Sequence, residues 1–121
     1  MELVWLWMEG EGRGETFGRH MADVVEQQLE LLPYSRKDKK LYLEILISEL
    51  EKYSFKPRKV GEPVNDGCVW ELDRREPTDI WDPVSYAVYL REDRHLGYQK
   101  ETSKRIMDAL LEDLDDLMDE L

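Results

Sequence analysis

The sequence predicts an α+β fold: an N-terminal strand, a two-helix hairpin packed on a small antiparallel sheet, and a C-terminal acidic helix. Three observations predict it. Two stretches with apolar residues at helical spacing, between Met21 and Tyr53, are split by Leu31-Leu32-Pro33. Short segments rich in strand-favouring residues flank this pair, at Glu2 to Met8 and at Cys68 to Leu72. From Ser103 to Leu121 a last apolar stripe recurs every three or four residues among acidic ones.

In the first strand Leu3, Trp5 and Trp7 share one face, and Val4, Leu6 and Met8 share the other. A strand apolar on both sides suits the interior of a sheet. Gly10-Glu11-Gly12-Arg13-Gly14 follows it, but the glycine spacing does not fit a dinucleotide loop, and Glu9, Glu11 and Glu15 would repel phosphate. This segment is expected to be a connection. Met21, Val24, Val25, Leu29 and Leu32 then set a helix from Phe17 to Leu32, which Pro33 stops. Ser35-x-x-Asp38 has the form of a capping box and opens a second helix, whose stripe of Leu43, Leu46, Ile47 and Leu50 runs out near Tyr53. These apolar residues belong to the core and are not site candidates. Lys56 to Lys59 is expected to be a basic hinge, and Asn65-Asp66-Gly67 has turn chemistry. Cys68 to Leu72 follows as a strand, and Val84 to Leu90 is a further strand despite the helix-start signal of Asp82-Pro83. In the last helix Met107, Leu110, Leu111, Leu114, Leu117, Met118 and Leu121 line one side.

A chain of 121 residues supports one domain with a real core, so residues 1–121 are expected to form a single unit. Cys68 has no second cysteine to pair with, and no leader or long apolar segment is read, so a cytoplasmic protein without membrane contact is expected. No His, Cys and Asp set has metal-site spacing, the tail carboxylates lack the alternation of a calcium loop, and no cofactor is expected.

The net charge is -11, and it is unevenly placed. Residues 108–121 hold seven acidic side chains and no basic one. The remainder is mildly acidic, with its basic residues clustered at Arg36 to Lys40, Lys56 to Lys59, Arg74 and Arg75, and Arg91 to Lys100. Local positive patches can therefore coexist with a negative total, and the charge alone does not exclude RNA. The last helix has its charges reversed against its dipole: Lys104 and Arg105 stand at the positive end and Asp115, Asp116, Asp119 and Glu120 at the negative end. Each exposed misplaced charge costs about 0.3–1 kcal/mol, so something other than local stability favours the pattern. Solubility is one reason; a basic partner, or a patch of the body that the tail covers, is another.

The order of pieces resembles the phage-derived branch of the RelE/HigB toxin superfamily. The residues that carry the resemblance are Leu3 to Met8, Val25 to Pro33 with its Leu-Leu-Pro, Leu43 to Tyr53, and Asp66-Gly67-Cys68-Val69-Trp70-Glu71-Leu72. Tyr86 to Leu90 stands where that family has its next strand, and His95 to Thr102 is similar to its His-Gly-aromatic-x-Lys-Lys-Thr stretch before the last helix. The sequence also departs from the family: Asp73 follows Trp70-Glu71-Leu72 where an arginine is usual, and Arg91 to His95 is charged throughout where a final strand is expected. Such toxins are generally basic, and this chain is not.

The resemblance implies a toxin of a toxin-antitoxin or phage element that cleaves mRNA without a metal, the ribose 2′-OH attacking the adjacent phosphate. Such cleavage needs cations for the phosphoryl charge, a base and an acid. Carried onto this sequence, the catalytic candidates are Arg74, Arg75, Arg91, His95, Tyr98 and Lys100, with Trp70 or Tyr98 available to stack on a base. A solvated surface role is the ordinary alternative for each arginine, and His20, near the start of the first helix, reads as a surface or capping residue. The expected partners are an antitoxin and RNA or the ribosome. The rival class is a non-enzymatic phage or mobile-element inhibitor, such as an anti-CRISPR or other anti-defence protein, that grips a basic target protein. Its partner-binding residues would be Asp113, Asp115, Asp116, Asp119 and Glu120, which present carboxylates along a helix in place of phosphates. A toxin-fold remnant acting only through protein contacts is a third class.

Overall fold

The computed structural model of the chain describes residues 4–7, 13–58, 68–73, 87–90 and 99–121. In chain order these form β1 (Val4–Trp7), α1 (Arg13–Leu31), α2 (Arg36–Leu50), β2 (Ser54–Arg58), β3 (Cys68–Asp73), β4 (Ala87–Leu90) and α3 (Gln99–Glu120). The class is α+β, with the helical hairpin and the sheet both present.

The strands make one sheet in the order β1-β4-β3-β2. β2, β3 and β4 are antiparallel neighbours, and β1 joins β4 in parallel, so the sheet is mixed. Trp5 and Trp70 are both in register with Val88, which puts the first strand and the Trp-Glu-Leu strand on one row of the same sheet. β1 is an end strand and not the interior strand expected from its apolar sequence; β4 and β3 hold the interior.

The other end strand, β2, replaces the basic hinge expected at Lys56 to Lys59. Phe55 is opposite Leu72 and Pro57 opposite Trp70. The Phe55 N–H turns away from β3 and donates to Ser103 Oγ of α3 across 3.0 Å. Pro57, two residues on, directs its nitrogen to the same free side, where no donor is needed. Proline argues against an interior strand, but at this edge it removes a group that another chain could pair with.

The capping signal before α2 is realised: Ser35 has extended backbone, φ -63° and ψ 161°, and its Oγ accepts from the Asp38 N–H at 3.2 Å. α1 begins a turn before the expected Phe17, and α3 a turn before the expected Ser103. His20, read as a surface or capping residue, sits within α1 and is partly buried.

α1 packs chiefly on α3, and the two run parallel, since Gly14 approaches Thr102, Gly18 approaches Ile106 and Ala109, and Arg19 reaches Asp113. α2 lies against α3 from the other direction of the hairpin, while α3 meets the sheet at β2 and α1 meets it at β4. One core joins the layers: Phe17, Met21 and Val25 of α1, Leu43 and Leu50 of α2, Trp70 of β3, and Ile106, Leu110 and Leu114 of α3 are all fully buried. Burial of each large apolar side chain is worth about 1.5–3 kcal/mol, which is the main term opposing chain entropy. Phe17 and Phe55 meet edge to face, with centroids 5.6 Å apart, and tie α1 to the edge strand.

Candidate functional site

The edge strand and the start of α3 enclose an open depression of about 460 Å³. Tyr53, Ser54, Phe55 and Lys56 form one wall, and Lys100, Ser103, Lys104, Met107 and Asp108 the other. The hydrogen bond from Phe55 to Ser103 holds the two walls together at the base of this seam. Met107 is buried and Lys56, Lys100, Lys104 and Asp108 are exposed, so the depression has an apolar floor and a rim of three lysines and one carboxylate.

Lys56 reaches Asp73 diagonally across the β2–β3 pair, at 3.5 Å. Lys100 and Lys104 make no ion pair among the described residues. They are one helical turn apart on α3, with Lys100 in the first turn, where the helix dipole adds to its field and favours an anion, and Lys104 in the second. Arg105, the next residue, turns to Glu101 at 3.0 Å instead. The reversed charge at the start of α3 is therefore split in two: Arg105 is compensated locally, and Lys104 contributes to the depression. Chemically, the arrangement can hold a phosphate or carboxylate by charge and present Ser103 and Tyr53 as polar neighbours. Among the described residues no group of three or more His, Cys, Asp or Glu could hold a metal ion.

Of the catalytic candidates, only Lys100 lies within the described residues; Arg74, Arg75, Arg91, His95 and Tyr98 lie outside them. Asp73, the residue before Arg74, is paired with Ser54 at the depression's end of β3, whereas Leu90, the residue before Arg91, is paired with Cys68 at the opposite end. Trp70 is corrected from a base-stacking candidate to a core residue. It is fully buried, and its indole N–H has no hydrogen-bond partner among the described residues. Lys56, Ser103 and Lys104 were not among the candidates; the signals for them were the basic run at Lys56 and the dipole-opposed charge at Lys104.

The acidic candidates divide as well. Asp113 accepts from Arg19 Nη1, while Nη2 of the same guanidinium binds Glu15 at 2.8 Å and approaches Glu112 at 3.9 Å, so Asp113 is engaged within the fold. Asp115, Asp116, Asp119 and Glu120 are exposed and make no ion pair among the described residues. The Glu26 pKa is raised from its ordinary value by burial, and by Glu120, Glu30 and Asp23. His20 is lowered by burial, partly offset by Asp23. No helix among the described residues is long and apolar enough to cross a membrane. No protein family, curated protein or solved structure matches the chain.

Proposed function

We propose that the protein is a RelE/HigB-like toxin-type protein whose lysine-rimmed depression receives an RNA phosphate. The observation that carries this reading is the gathering of Lys56, Lys100 and Lys104 around one depression in a chain of net charge -11, with Lys100 and Lys104 not ion-paired among the described residues. Cations gathered along one concave place attract an anion there even on a molecule of negative net charge. The order β1, α1, α2, β3, β4 and α3 is the order of the matching pieces in the resemblance, with β2 standing where its basic hinge was expected. In the proposed reaction the lysines offset the charge on the phosphoryl oxygens. A base takes the 2′-OH proton, the 2′ oxygen bonds to phosphorus, and the 5′ oxygen leaves with a proton from an acid. His95 and Tyr98 are the residues proposed for those transfers, and Arg74, Arg75 and Arg91 for further charge.

One observation favours the second reading, an inhibitor of a basic enzyme: the exposed carboxylates of Asp115, Asp116, Asp119 and Glu120 lack cationic partners among the described residues. Expression in growing cells separates the two. Growth arrest that is relieved by Lys100→Glu with Lys104→Glu, and by His95→Ala, supports the nuclease. Harmless expression, with tight binding to a basic enzyme that is lost when the four carboxylates are made amides, supports the inhibitor. Glutamate near the start of α3 suits the helix dipole, so loss of activity in the lysine variant would not come from a weakened helix.

A further inference from the structure

Ser103 stands between the two lysines of the α3 wall, three residues after Lys100 and next to Lys104, and all three line the depression. The lysines are exposed and Ser103 is half-buried, so the hydroxyl is the more enclosed donor. A serine hydroxyl can accept through two lone pairs and has one hydrogen to give. One lone pair takes the Phe55 N–H of β2 at 3.0 Å. A serine inside a helix commonly gives its hydrogen to the carbonyl four residues back, but the bond from Phe55 is the one hydrogen bond Ser103 makes among the described residues. Its hydrogen is left to whatever enters the depression.

We propose that the Ser103 hydroxyl donates to the phosphate held by Lys100 and Lys104, and that this bond couples occupancy of the depression to closure of the edge strand. The inference rests on the reading of the depression as an RNA phosphate site and adds to it an uncharged donor. A hydroxyl that gives its hydrogen to a charged oxygen makes a short, strong bond, and its own oxygen becomes a better acceptor. In the chain from the Phe55 N–H through Ser103 Oγ to a phosphoryl oxygen, each bond therefore strengthens the other. Because the Phe55 bond fastens β2 to α3, a bound phosphate tightens that seam, and by reciprocity a tighter seam favours the phosphate. The lysines supply attraction from flexible stems, whereas Ser103 adds direction, since its oxygen is held by Phe55. In the proposed cleavage the charge on the phosphoryl oxygens rises toward the transition state, and a fixed donor aimed at them gains with it.

Two measurements on the full chain test this: anisotropy of a labelled single-stranded RNA over a salt series, and amide exchange with and without that RNA. Ser103→Ala is expected to weaken binding about tenfold while leaving the slope of log affinity against log salt unchanged, because an uncharged donor releases no counterion. Ser103→Thr keeps a hydroxyl and is expected to bind nearly as the wild type does. Gly18→Ala, which strains the α1–α3 contact and not the depression, is expected to bind as the wild type and controls for loosening. In the unaltered chain, RNA is expected to slow exchange at Phe55 by more than at the core amides of α1, which register global stabilisation only. That measurement needs no substitution. A chain that binds no RNA, or binds it regardless of Lys100→Glu with Lys104→Glu, removes the phosphate reading and this inference with it. Lysine-dependent binding that is indifferent to Ser103→Ala, or that slows Phe55 no more than the α1 core, overturns the role of Ser103 and leaves the phosphate reading standing. A Ser103→Ala loss that Gly18→Ala reproduces, or that Ser103→Thr does not repair, assigns the effect to folding and overturns that role as well.

Discussion

Phe55 donates its backbone N–H to the hydroxyl oxygen of Ser103 across 3.0 Å, and this bond fastens the sheet's edge strand to α3. It closes the side of β2 that faces no other strand and fixes the width of the depression between Lys56 and Lys100. Ser103→Ala leaves that amide without its acceptor at a part-buried position. The expected cost is about 1–3 kcal/mol, seen as a lower urea midpoint with the slope unchanged. Faster hydrogen exchange at Phe55 distinguishes loss of this bond from general loosening.

At Gly18 α1 lies close against α3. A Cβ there would run into the Ile106 carbonyl and would lie 2.9 Å from Ala109 Cβ and 3.0 Å from the Leu110 nitrogen, atoms that cannot swing aside. Replacing glycine by alanine in a helix ordinarily stabilises by roughly 0.5–1 kcal/mol. Here the sign is expected to reverse: Gly18→Ala forces the helices apart and costs about 1–3 kcal/mol. Thermal unfolding reads this directly, and a raised melting temperature would show that the helices do not meet at Gly18.

The depression predicts a salt dependence. Phosphate contacts by lysine release counterions, so the slope of log affinity against log salt measures how many are made. Lys100→Ala and Lys104→Ala are each expected to weaken binding of single-stranded RNA uniformly across sequences and to reduce that slope by about one. Lys37→Ala, on the far flank of α2, is the matched control and should leave the slope unchanged.

Two residues of α1 predict opposite pH effects. Burial holds His20 below its ordinary pKa, so below about 6.5 the unfolded chain binds more protons than the folded one, and stability falls as pH falls. His20→Gln is expected to flatten the loss of melting temperature between about pH 7 and 5. Glu26 is raised by burial and by its acidic neighbours, so its charged form burdens the fold at neutral pH. Glu26→Gln is expected to raise the melting temperature at pH 7, with the gain shrinking as pH drops through the carboxylate range.

Much of the fold was legible locally because the signals are local. The Pro33 stop, the Ser35 cap, the stripe from Leu43 to Leu50 and the run from Cys68 to Leu72 each depend on a few neighbouring residues, and each element formed where its pattern stands. The site was less legible. Lys100 was found through a resemblance, while Lys56, Ser103 and Lys104 become a group only when β2 lies against α3.

By itself the sequence determined the three helices and the strands β1, β3 and β4, the apolar faces of the helices, and that acid accumulates toward the end of α3. Those are properties of periodicity and composition. Tertiary structure decided the rest: that β1 ends the sheet and runs parallel to β4, that Lys56 to Arg58 is edge strand and not hinge, that Trp70 is core, and that Asp113 serves Arg19. Each of these depends on contacts between residues far apart in the chain. Proline at an edge, a charge at a helix start and a tryptophan in a strand have no single outcome until the neighbouring element supplies the acceptor, the counter-charge or the cover.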